Sequence, residues 1–200
     1  MPTSLTQLKE LAAGCRRCPL YRDATQAVCG EGPARAAVVF VGEVPGDQED
    51  LEGRPFVGPA GRLLDRALSE AGIERRRIYV TNAVKHFKFE QRGKRRLHKK
   101  PNAYEIERCR WWLDQELALI KPSLTVALGA TAARALAGRV VTISRLRGGI
   151  VTWRDGRRGF ATVHPSALLR MPDPADKERE YRHFIRDLEA IAAAAPEIRP

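Results

Sequence analysis

The sequence predicts a three-layer αβα sandwich built on a four-stranded parallel sheet, as a single domain spanning residues 1–200. Three observations lead there. Four short apolar runs read as buried strands, patterns of helical period fall between them, and each run ends at a polar or glycine-containing turn. Strands alternating with helices imply right-handed crossovers and a mostly parallel sheet covered on both faces.

In chain order, Ser4 to Ala13 reads as a first helix, and Ala37 to Val41 as the first strand. Ala60 to Ala71 carries apolar residues at helical spacing and stops at Gly72, a residue suited to the left-handed turn that ends helices. Arg77 to Thr81 is the second strand. Pro101-Asn102 opens a helix running to about Ile120, because asparagine accepts from the free amides of a first turn. Leu124 to Leu128 is the third strand, Ala130 to Ala137 a helix closed by Gly138, and Phe160 to Val163 the fourth strand. Lys177 to Ala194 is the last helix, with Phe184, Ile185, Leu188 and Ile191 on its apolar face. Neither a composition break nor a repeat argues for a second domain.

In an open parallel sheet, ligands bind beyond the carboxyl ends of the strands. Gly42-Glu43, Asn82, Gly129 and His164 each follow one of the four runs, so they are expected to meet in one crevice. The composition suits a polyanion. Thirty-five Lys and Arg against 24 Asp and Glu leave a net charge of +11. Residues 92–100 concentrate six cations in nine positions without an acid, a local feature that points to nucleic acid. No apolar run approaches the ~20 residues of a membrane span, and the N-terminal residues do not read as a secretion signal. The expectation is a soluble, cytoplasmic monomer.

Cys15-Arg16-Arg17-Cys18 has the spacing that lets two thiolates face one metal or cluster, and Cys29 and Cys109 complete a possible set of four. Redox, zinc, cluster and chance readings all stay open on spacing alone.

Five segments together resemble the iron-sulfur uracil-DNA glycosylases: Cys15-Arg-Arg-Cys-Pro-Leu20, Phe40-Val-Gly-Glu-Val-Pro-Gly46, Gly53-Arg-Pro-Phe-Val-Gly-Pro-Ala-Gly61, Tyr79-Val-Thr-Asn-Ala-Val-Lys85 and His164-Pro-Ser166. The resemblance covers nearly the whole chain. It implies a [4Fe-4S] cluster on Cys15, Cys18, His86 and Cys109, with His86 standing where family-four members carry a cysteine and Cys29 left out. It also implies uracil-containing DNA as the partner. Asn82 would read the Watson-Crick edge of a flipped uracil, since one amide can accept from N3-H and donate to O4. Phe56 would stack on the base, and His164 would donate near O2. Ser166 and nearby amides would hold a flanking phosphate. Gly42, Val44 and the carboxylates of Glu43 and Asp47 would face base and sugar.

Within that resemblance, Lys94-Arg95-Arg96-Leu97-His98 is similar to the Lys-Arg-Arg-Ile-His signature of the UdgX class. Lys94, Arg95, Arg96, Lys99 and Lys100 are expected on phosphates. His98 is expected to take the place of water beside C1′ and trap the sugar covalently, with Glu43 fixing its tautomer. Val44 departs from the pattern, which has glutamine there, so a side-chain hydrogen bond is missing from that turn.

Overall fold

The computed structural model describes all residues, 1–200. Its strands are β1 (Val38–Gly42), β2 (Tyr79–Asn82), β3 (Phe89–Arg92), β4 (Arg95–His98), β5 (Leu124–Leu128), β6 (Val151–Thr152) and β7 (Arg158–Thr162). Its helices are α1 (Leu5–Ala13), α2 (Asp47–Glu52), α3 (Pro59–Glu70), α4 (Ala103–Ile120), α5 (Ala130–Ala137), α6 (Ile143–Leu146), α7 (Pro165–Leu169) and α8 (Pro174–Ala194).

The main sheet runs β2-β1-β5-β7-β6. The four expected strands are its parallel part, and β6 adds a fifth, antiparallel edge strand through Val151↔Gly159 and Thr152↔Arg158. The four-stranded expectation is corrected here: two paired residues are too short to leave an apolar alternation in the sequence. Alternate residues of each strand feed two cores. Val39, Val41, Ala127 and Ala161 pack under α1, α4 and α5, while Val38, Phe40, Val126 and Phe160 pack under α3 and α8. That is the αβα sandwich. No helix is long and apolar enough to cross a membrane.

Chain order reverses across the sheet at β1, which lies between β2 and β5. A crevice therefore opens at the carboxyl ends of these strands, where the connections leave in opposite directions.

Two local features shape the crevice. A capping box starts α4: Asn102 Oδ1 accepts from Glu105 N–H at 2.9 Å and Glu105 Oε2 accepts from Asn102 N–H at 2.7 Å. Lys88 Nζ adds an ion pair to Glu105 at 2.8 Å, tying the start of the basic segment to this helix. That segment, expected as a loop, is instead the antiparallel hairpin β3–β4, turned through Gly93 at φ 58° and Lys94. The two-residue Gly93-Lys94 connection is the sequence signal for it.

Candidate active site

A cavity of about 550 Å³ occupies the crevice, and Glu43, Val44, Asp47, Phe56, Asn82, His98, His164 and Ser166 all line it. Eight residues expected from the sequence are thus brought together. Gly42 is not among the lining residues, but it packs against two of them. A Cβ at Gly42 would lie 2.4 Å from Asn82 Oδ1 and 2.6 Å from Phe56 Cζ, so only glycine lets those two side chains close over the end of β1.

Phe56 stands in the left-handed region at φ 59°, a conformation costly for an aromatic residue and one that aims its buried ring at the cavity. Close contact beneath it is possible because Gly61 lacks a side chain; a Cβ there would meet Phe56 O at 1.7 Å. The Phe56 ring lies 6.1 Å from the His164 ring, with 29° between planes. Asn82 is 3% exposed at the end of β2.

His164 caps α7, its Nδ1 accepting from Ser166 N–H at 3.1 Å and lying 2.8 Å from Ser166 Oγ. A ring nitrogen that accepts has no proton, so the neutral tautomer carries N–H at Nε2. Burial, then the charges of Arg170 and His98, push the imidazole down to about 4. It is a neutral donor at physiological pH.

His98 ends β4 and is paired across the hairpin with Phe89. Its Nε2 lies 3.9 Å from Glu43 Oε1, close enough for charge to act and too far for a hydrogen bond. The other carboxylate oxygen of Glu43 accepts from Thr131 Oγ1. Burial lowers the His98 pKa, Glu43 raises it, and Arg170 lowers it. The net direction is down, which favours the nucleophilic neutral ring.

The five expected phosphate contacts separate into two groups. Lys94, Arg95, Lys99 and Lys100 are exposed on the hairpin, Lys99 pairing with Glu90 at 2.6 Å. Arg96 is different, turning inward against α2. Its side chain is 18% exposed, Nε bonds Asp47 Oδ1 and Nη1 bonds Asp50 Oδ2, each at 2.6 Å. The guanidinium also lies 5.3 Å from the Phe87 ring and 5.2 Å from Phe89. Arg96 is an internal strut between hairpin and α2. Asp50, fully buried and also held by Thr25 N–H and Oγ1, is its anchor and was missed in the sequence. So was Glu49, which lines the cavity and accepts from Gly58 N–H at 2.9 Å. No local pattern marks either: Leu51, the one apolar residue of Asp47–Glu52, is exposed while Glu49 and Asp50 are buried.

All four cysteines are free and buried. All four lie on one side of the core, and the charge of Cys15 is felt at Cys18, Cys29 and Cys109. Two sulfurs receive N–H donors: Lys85 N–H to Cys109 Sγ and Trp112 Nε1–H to Cys15 Sγ, both 3.1 Å. Donors aimed at sulfur suit thiolates that ligate a cluster. Cys29 faces a separate cavity of about 230 Å³ with Lys9, Tyr79 and Glu116. Burial pushes its thiol up to about 11, and that of Cys109 up to about 12. His86 is 4% exposed, and burial lowers its pKa, leaving a neutral imidazole. No group of three His, Cys, Asp or Glu forms a preformed single-ion cage.

The domain is a doubly wound α/β sandwich whose switch-point crevice gathers the Asn82 amide, the imidazoles of His98 and His164, and the carboxylates of Glu43, Asp47 and Glu49. The chain belongs to the uracil DNA glycosylase superfamily, whose family model matches residues 29–189. It is 40% identical over 164 residues to a type-4 uracil-DNA glycosylase of Thermotoga maritima, covering 82% of each chain. A type-4 uracil-DNA glycosylase of Sulfurisphaera tokodaii is 36% identical over 178 residues, which is 85% of this chain and 78% of the relative. One from Pyrobaculum aerophilum is 38% identical over 175 residues, 84% and 86% respectively.

Proposed function

We propose that this protein is a uracil-DNA glycosylase of the UdgX class, which excises uracil and then captures the abasic sugar on His98. Glycosylase action is supported by the superfamily match and by the type-4 relatives. The single observation that carries capture is the position of His98 beside Glu43 on the wall of the cavity that also holds Asn82 and His164.

A uracil flipped into the cavity stacks on Phe56, gives its N3-H to Asn82 Oδ1 and receives Asn82 Nδ2–H at O4. Cytosine meets that amide with the wrong partner at both positions. As the bond from C1′ to N1 breaks, the electron pair leaves with uracil, and His164 Nε2–H stabilises the charge growing on O2. Glu43 stabilises the cationic sugar. The lone pair of a His98 nitrogen forms the new bond to C1′, and the proton on its other nitrogen passes to Glu43. The sugar stays bonded to the ring, so each molecule acts once. Single-stranded DNA is the favoured substrate because its bases cost less to expose. Exposed Lys94, Arg95, Lys99 and Lys100 contact phosphates, as does Ser166. Val44 supplies an apolar wall where an amide is common, and Asp47 acts through Arg96 on the hairpin.

Cys15, Cys18 and Cys109, with His86 as the family resemblance implies, would hold a [4Fe-4S] cluster, which when bound would supply a structural crosslink between the N-terminal segment, the segment after β2 and α4.

Mixing the protein with a uracil-containing oligonucleotide and running a denaturing gel tests the proposal. A heat-stable shifted band, lost in His98→Ser, is the expected result. Free abasic DNA without a band supports ordinary turnover and overturns capture, and an intact base overturns both.

A further inference from the structure

Lys85 is a buried charge that the chemistry above leaves unused. Its side chain is 1% exposed, and the three hydrogens of its ammonium meet three acceptors. These are Thr81 Oγ1 at 2.6 Å, Glu116 Oε2 at 2.7 Å and the backbone carbonyl of Asn82 at 2.8 Å. Its own backbone N–H reaches Cys109 Sγ at 3.1 Å, and its carbonyl accepts from Val28 N–H at 2.7 Å. Glu116 is also 1% exposed, accepting from Thr81 Oγ1 and Gly30 N–H, each at 2.8 Å, and from Tyr79 OH at 3.4 Å.

A buried ion pair is a poor source of stability, because desolvation offsets the attraction and apolar residues of similar volume do as well. What distinguishes this one is where its third bond goes. Asn82 is the last residue of β2, and beyond it Ala83 N–H binds Gly42 O at 2.9 Å and Val84 N–H binds Glu43 O at 3.0 Å. The Lys85 ammonium holds the carbonyl of that same Asn82–Ala83 peptide, so both of its polar ends are pinned beside the Cα from which the Asn82 side chain enters the cavity.

We propose that Lys85 is a positioning residue for Asn82: it sets the orientation of the amide that reads the base, and it ties that amide to the segment carrying Cys109. This rests on the uracil-reading role given to Asn82. In an amide read at two points, a tilt weakens both bonds to uracil and relaxes the mismatch with cytosine.

The test is the double variant Lys85→Met/Glu116→Gln, which removes the ammonium without stranding a buried carboxylate. Iron content, visible absorbance, thermal unfolding and affinity for uracil-free DNA are expected to match the wild type. The saturating single-turnover rate of uracil release is expected to fall roughly 10- to 100-fold, with the half-saturating DNA concentration unchanged. In an Asn82→Ala background the same double change is expected to add nothing. A folded double variant with normal uracil release overturns the proposal, as do losses that simply add to those of Asn82→Ala. If the double variant does not fold, Thr81→Val withdraws one acceptor and keeps the ion pair. A several-fold loss is then expected, and an unchanged rate overturns the proposal. Failure of wild-type protein to release uracil sinks the glycosylase reading itself, and is separable from every outcome above.

Discussion

Replacing Arg96 by methionine isolates the strut from any contact with DNA. In the native fold its guanidinium spans a fully buried carboxylate, Asp50, and a half-exposed one, Asp47, at 2.6 Å each. Breaking a buried pair costs about 3–5 kcal/mol. Asp50 keeps its two bonds from Thr25, one of them at 2.6 Å, so the loss here is nearer about 2–3 kcal/mol. That energy is drawn from the attachment of the hairpin to the domain. At about 1.36 kcal/mol per decade it sets a ceiling of roughly 30- to 160-fold on the fall in adduct formation. The assay is a single-turnover time course on denaturing gels, with hydrogen exchange of the amides of residues 89–98 measured in parallel. Faster exchange in β3 and β4 should accompany the slower adduct. The result that refutes the strut is a variant with unchanged exchange whose only defect is weaker DNA binding and a salt slope reduced by about one, the signature of a lost phosphate contact.

Four further outcomes follow from the geometry. Because burial lowers the His98 pKa below the ordinary value of about 6.5, adduct formation should fall as pH drops, with a midpoint below about 6.5; a midpoint at or above 7 contradicts the assignment. His164, held at about 4 in the folded state, binds fewer protons than it does unfolded between pH 4 and 6.5. Stability is therefore lost as pH falls through that window, by at most about 3 kcal/mol, and His164→Asn should flatten the dependence in thermal unfolding. Gly42→Ala drives a methyl into Asn82 Oδ1 and Phe56, so uracil release should drop by about 100-fold for a destabilisation of about 1–3 kcal/mol; near-normal release shows that the pocket is softer than argued. For the cluster, Cys109→Ser should strip iron and loosen residues 15–18, whereas Cys29→Ser should keep a full iron complement; iron loss in Cys29→Ser moves the fourth ligand from His86 to Cys29.

Much of this architecture is legible in the sequence for one reason: buried parallel strands must be continuously apolar, so Val38–Val41 and Leu124–Leu128 announce themselves without a partner. Residues at the ends of such strands inherit their placement, which is how Glu43, Asn82 and His164 could be assigned to one crevice. Features that depend on pairing chosen in three dimensions were hidden. The edge strand β6 is two residues long, and β3–β4 alternates charged residues on both faces, so neither carries a periodic apolar signal. Arg96 shows the limit most clearly. Among six cations in nine positions, nothing local marks the one that turns inward; only Asp47 and Asp50, about 50 residues away in sequence, decide it.

The hairpin belongs to neither layer of the sandwich and to no strand of the main sheet. On the proposed reading, the residues that face the base lie outside it, while His98, assigned to the sugar, lies on it, so the fate of the sugar would rest with an appendage. Such an appendage is transferable: grafting residues 87–100, with acids at the positions of Asp47 and Asp50 to seat it, onto a turnover relative should convert a catalyst into a permanent label for its own substrate. Shortening it here should return the protein to repeated use.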